Sequence, residues 1–167
     1  DHNYLEKKQE QLLDNFFILY GTEISTAEGH VSIFGVKKEY KRGIPAQDLI
    51  DKVNDENGVS VITHPFAIRK SSLGKLALKI NATALEKFNG SDFIHNLLAL
   101  KYIKNGTGGS DAHTWDEIGN AYTLIDAELN KDSILDALRK GIFKPVYSCN
   151  YFSLMKRYLN SSRNKKR

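Results

Sequence analysis

Hydrophobic and polar positions along the chain switch repeatedly between two periods, with short apolar runs of strand length separated by stretches whose apolar residues recur at helical spacing. The spacing predicts a helix over "YLEKKQEQLLDN", a buried strand in "FFILYGTEI" and a second strand in "HVSIFGV". "IPAQDLIDKVNDENG" reads as a helix, with Pro45 near its first turn and Gly58 just past its end. "VSVITH" returns as a strand. A less regular basic segment, 69–79, leads to the strand "TALEKFN" and to the helix "SDFIHNLLALKYIKNG", capped by Ser91 or Asp92 and ended by Gly106. "GTGGSDAH" begins as a short strand and "AYTLID" follows as another. "KDSILDALRKG" then reads as a helix, "KPVYS" as a late strand and "YFSLMKRYL" as a last helix. No internal repeat or low-complexity linker interrupts this order.

Such alternation implies parallel strands with helical crossovers, in a doubly wound sheet or a barrel. Composition narrows the class. With 167 residues, 41% hydrophobic and 26% charged, the chain fits one globular domain with a real core. Cys149 is the only cysteine, which excludes an internal disulfide framework and a cysteine-based zinc site, and fits a reducing, cytoplasmic compartment. No apolar run has the length needed to cross a bilayer. Much of the net charge of +4 sits in "KRYLNSSRNKKR", residues 156–167, a solvated basic tail that could add a non-specific attraction for nucleic acid. The chain starts at Asp1 and holds a single methionine, Met155, as expected of a fragment or a processed product.

In both architectures functional groups gather where strands end. Glu23 ends one apolar run, His64 another, Glu86 and Asn89 a third, and Asp111 with His113 the glycine-rich one; His30 opens a strand seven residues beyond Glu23. Two residues apart on a strand, Asp111 and His113 would project to one face. Carboxylate and imidazole suit zinc, manganese or iron alike. A nucleophile elbow would need glycine in place of Ala112, and no Gly-Lys pair follows the glycines, so a phosphate-cradling loop is disfavoured. Glu86 and Asn89 are equally well explained as strand caps. His95, isolated in an apolar helix, is expected to be packed and hydrogen bonded rather than to be a ligand. Trp115 lines the substrate mouth or covers the end of a barrel, with a slight preference for the second.

The opening "DHN", with "GTEIS", "GHV", "THPF", "ALEKFNG" and "GSDAH" followed by "IGNAYT", resembles in order and spacing the polymerase and histidinol phosphatase (PHP) family of metal-dependent phosphoesterases, over residues 1 to about 125. The resemblance implies a distorted β/α barrel, seven-stranded in that family, and two or three divalent ions (zinc, manganese or iron). It implies that Glu23 bridges two ions, that His30 and His64 complete the shell of the second, and that Asp111 binds the first. His113 and His2 would serve a third ion or stand at the substrate as catalytic groups, with Asp1 orienting His2 and His113 passing a proton to the leaving oxygen. Arg69 and Lys70, just past a ligand, are candidates to clamp phosphate, although a solvent-facing loop explains Arg69 equally well. The family's first His-x-His motif has no counterpart here. The expectation is therefore an incomplete catalytic domain over 1–155, lacking its first barrel strand, followed by the basic tail. Its activity would be hydrolysis of a phosphomonoester or nucleotide by a metal-activated water. The alternatives are a nuclease or proofreading domain acting on nucleic-acid ends, and a non-catalytic scaffold.

Overall fold

The computed structural model describes residues 2–5, 10–68 and 71–148. Asp1, Arg69, Lys70, Cys149, the expected last helix and the basic tail lie outside the described residues. The first departure from the sequence pattern comes early. Where a helix was expected, β1 (Gln11–Leu13) forms instead and pairs antiparallel, as a hairpin, with β2 (Phe16–Ile18), which opens the segment expected as a strand. Leu13 pairs with Phe16, so Asp14 and Asn15 form a two-residue turn, and Asp14 takes the positive φ of 49° that such turns require. Two short apolar runs flanking Asp-Asn carry that signal, which the helical spacing across the segment hides.

The main sheet has five strands in the order β3 (Gly21–Ser25), β4 (His30–Phe34), β5 (Val59–Ile62), β6 (Ala84–Asn89) and β7 (Thr107–Gly109). β3, β4 and β5 pair antiparallel, whereas β5, β6 and β7 pair parallel. A ribbon of β8 (Ala121–Ile125) and β9 (Phe143–Tyr147) is antiparallel and lies beside β7. There Thr123 Oγ1 accepts from the Gly108 N–H at 2.9 Å and donates to the Gly108 carbonyl at 2.8 Å. A Cβ on Gly108 would stand 2.5 Å from the Tyr122 carbonyl oxygen, so glycine is what lets the two backbones approach.

The expected β/α barrel is thereby corrected: the fold is mixed α/β, with no closed barrel among the described residues. The reason is local. Alternating apolar runs do not distinguish a crossover from a hairpin, and Thr26 turns the chain straight back, its Oγ1 donating to the Gly29 carbonyl at 2.6 Å. β3 is an edge strand of the sheet, and on its outer side His2 bridges Glu23 in parallel.

Helices cover both faces. α1 (Ala46–Asp55) presents Leu49, Ile50 and Val53 to Ile24, Val31, Ile33 and Ile62, all essentially without solvent exposure. Each such side chain contributes roughly 1.5–3 kcal/mol by leaving water. On the opposite face α3 (Lys131–Arg139) packs Leu135 and Leu138 against Val59, Val61 and Ala84. α2 (Phe93–Tyr102) packs Ala99 near Phe66 and Ile103, and it ends at Tyr102, short of the expected Gly106. Because strand side chains alternate, the pattern that turns Ile24, Val31 and Ile33 to α1 turns Glu23, His30 and Ser32 to the other face. No helix of the described residues is long and apolar enough to cross a membrane.

Candidate metal centre

The β3–β4 hairpin builds the first half of the site. Glu23 pairs with Ser32 and Ser25 with His30, which makes Glu23 and His30 diagonal neighbours on one face. His30 Nδ1 comes within 2.9 Å of Glu23 Oε1. His2, beside the free edge of β3, sets its Nε2 3.4 Å from the same oxygen, and the Asn3 N–H donates to the Glu23 carbonyl at 2.7 Å. Donor atoms of His2, Glu23 and His30 all lie within 4.8 Å of one another. His64 follows β5 and continues the row, with its Nε2 3.4 Å from His30 Nδ1. Ring centroids are 5.0 Å apart for His2 and His30 and 5.2 Å for His30 and His64, both edge to face.

This donor set fits a divalent ion: carboxylate and imidazole atoms converge from three chain segments, in the mixture that zinc, manganese and iron accept. Burial pushes the Glu23 carboxyl up, but the His30 hydrogen bond and the nearby His64, His30 and His2 rings outweigh it and hold the group below the ordinary carboxylate range.

Asp111 and His113 form the opposite rim. β7 stops at Gly109, so these two stand on a turn rather than on a strand, yet both line the same cavity of about 540 Å3 as His2, Glu23, His30 and His64. Asp111 Oδ2 accepts from Ser91 Oγ at 2.6 Å and from Asn89 Nδ2 at 3.3 Å. That amide also donates to Glu86 Oε2 at 3.2 Å, and Glu86 Oε2 accepts the His64 N–H at 2.6 Å. Glu86 and Asn89 therefore connect the two rims, a role beyond strand capping, and Ser91 was missed as part of the site. Gly109 makes room for this link, since a Cβ there would stand 2.7 Å from Glu86 Oε1. Three residues of the site region hold positive φ without being glycine: Asn3 at 58°, His64 at 31° and Asp111 at 47°. Such backbone costs on the order of 1–3 kcal/mol each and persists where surrounding structure over-determines it, often at functional sites.

His113 is exposed; its Nδ1 lies 2.9 Å from the Asp111 carbonyl and its N–H donates to Glu117 Oε2 at 2.7 Å. His95 is fully buried and accepts the Phe66 N–H at 3.2 Å, away from the cavity lining. Trp115 covers no barrel end and stands 91% exposed. Of the remaining candidates, Asp1, Arg69 and Lys70 lie outside the described residues; among the described ones, Asn3 Nδ2 stands 2.6 Å from His2 Nδ1.

Residues 96–142 match a family profile described as PHP-associated, a segment that runs from α2 through the Asp111–His113 turn to just past α3. The match does not extend over the N-terminal half of the site. Two uncharacterized proteins of Methanocaldococcus jannaschii are similar to the chain. One is 23% identical over 111 residues, covering 62% of this chain and 65% of that protein; the other is 28% identical over 149 residues, covering 78% and 57%. The chain thus spans about three fifths of the length of the curated relatives it matches. Among solved structures, PsfC from Pseudomonas syringae superposes with a TM-score of 0.68 at 17% identity, over 93% of this chain and 69% of that one, a likeness of fold.

Proposed function

We propose that this chain carries the metal-binding part of a phosphoesterase that hydrolyses a phosphomonoester or a nucleotide. The observation that carries the reading is the convergence of His2, Glu23 and His30 on one point of a cavity that His64, Asp111 and His113 also line. The PHP-associated match over residues 96–142 supports it from the side of Asp111 and His113. Two or three divalent ions held by these residues would supply Lewis acidity, polarising the phosphoryl group and acidifying the attacking water.

The chain's own groups divide the remaining work. Glu23 would hold an ion together with His2 and His30, and its depressed pKa keeps it a carboxylate. Ser91, Asn89 and Glu86 fix Asp111 and the His64 backbone before any substrate arrives. During hydrolysis a water oxygen bonds to phosphorus, the ester P–O bond breaks, and the departing alcohol takes a proton. The Asp111 carbonyl can only accept, so His113 Nδ1 carries a proton and Nε2 is the nitrogen left to exchange one with the leaving oxygen. His2, half-exposed at the other rim, is the second candidate for proton transfer. The nuclease reading draws on the basic tail alone, which lies outside the described residues.

Elemental analysis of the purified protein and of Glu23→Gln, with hydrolysis of a generic phosphomonoester scored on both, tests the proposal. Wild type should bind divalent metal and hydrolyse the ester. Glu23→Gln should lose metal and activity together, by at least about tenfold in affinity. Full metal content in the variant would sink the assignment.

A further inference from the structure

Beside the donor cluster lies a second recess of about 470 Å3, lined by Ala112, His113, Thr114, Trp115 and Ile118. Ala112 and His113 line both spaces, so the recess begins where the donor groups end. Its walls are unusual for a surface turn. Trp115 is 91% exposed and Ile118 62% exposed, and both belong to the one short stretch that carries His113. Trp115 opens a single turn of 3₁₀ helix (Trp115–Glu117) that is braced from within: Thr114 Oγ1 donates to Asp116 Oδ1 at 2.6 Å, and Glu117 Oε2 accepts the His113 N–H at 2.7 Å. The brace fixes the backbone while leaving the indole uncovered.

From this arrangement we infer that the recess receives the leaving group of the substrate and selects a planar, apolar one, with Trp115 as the stacking wall and Ile118 as its apolar neighbour. The inference rests on the phosphoesterase reading, because a phosphoryl group held by the donors would direct its ester substituent past His113. Indole faces stack on flat rings in a geometry that aliphatic polyols do not reproduce.

Trp115 is the only tryptophan in the chain, so its emission reports on the recess directly. The experiment compares phenyl phosphate with glycerol 2-phosphate on the metal-loaded protein, following tryptophan emission on binding and kcat and KM on turnover, in wild type, Trp115→Ala and Trp115→Phe. Phenyl phosphate should quench the emission at concentrations where glycerol 2-phosphate does not. Trp115→Ala should raise KM for phenyl phosphate about tenfold, with kcat unchanged and glycerol 2-phosphate unaffected; Trp115→Phe should restore most of the loss. Turnover of both esters without quenching, and without discrimination by Trp115→Ala, would overturn the recess while leaving the phosphoesterase reading intact. Quenching without turnover of either ester would overturn that reading and keep the recess as a site for aromatic anions. Neither quenching nor turnover would overturn both.

Discussion

Ser91 shows how much of this site depends on residues that touch no ligand. Its hydroxyl donates to Asp111 at 2.6 Å and also meets Asn89 Oδ1 at 2.9 Å, so one small side chain fixes the direction of a carboxylate on a strained turn. Ser91→Ala should lower metal affinity about 10- to 100-fold in a calorimetric titration while leaving the thermal midpoint close to wild type. An unchanged affinity would remove Asp111 from the ligand set. A second residue-scale prediction concerns Glu56, past the end of α1. Burial pushes its carboxyl up, but the Tyr40 hydroxyl at 2.6 Å, the Lys37 N–H and Lys38 outweigh this and hold it below the ordinary range. A lowered folded pKa gives stability that is complete above about pH 4.3 and is lost as pH falls through the folded value. Tyr40→Phe should cost about 1 kcal/mol at pH 7 in urea melts and make the acid loss shallower. Equal acid limbs in the two proteins would contradict the pairing.

Elements were legible in the sequence in proportion to how local their signals are. α1 and α3 follow the expected segments because apolar spacing, Pro45 before α1 and Gly141 after α3 act within a few residues. Asp92 was one of two candidate caps for α2, and it accepts the His95 N–H at 2.9 Å. The first segment was misread because Leu12 and Leu13 fit a helical period with Leu5 as readily as a short strand, and the Asp14–Asn15 turn, which pairs them with the strand that follows, decides between the two. At this scale Gly108 is the decisive position between β7 and β8. A methyl group there meets a backbone carbonyl that cannot swing aside, so Gly108→Ala should cost about 1–3 kcal/mol in a denaturant melt and loosen the ribbon beside the Asp111 turn. Wild-type stability would show that the strands can part without loss.

Across the whole molecule the sheet changes character at β5, antiparallel on one side and parallel on the other, and the donor groups come from both parts. Glu23 and His30 ride the hairpin, His64 leaves the last residue shared by both regimes, and Asp111 follows the parallel end. Metal held between these parts should tie them together. A chelator should therefore lower the thermal midpoint of wild type, and a metal concentration about a hundredfold above Kd should restore roughly 2.7 kcal/mol. Glu23→Gln should show neither effect. A midpoint indifferent to chelator in wild type would mean that no ion bridges the two regions.

By itself the sequence determined the residue types of the site and most of the elements that carry them. His2, Glu23, His30, His64, Asp111 and His113 were chosen from spacing and resemblance, and all six line one cavity. The choice was possible because ligand chemistry is a property of single side chains and their place relative to short apolar runs. Three things only the tertiary structure decided. Strand direction replaced the expected barrel with a mixed sheet, since pairing is a non-local choice that identical apolar runs can satisfy either way. Glu86, Asn89 and Ser91 became connectors rather than caps, because their partners Asp111 and His64 are more than 19 residues distant in sequence. Trp115 was left in solvent, because whether an aromatic finds cover depends on what packs above it, and nothing in its own neighbourhood of the sequence encodes that.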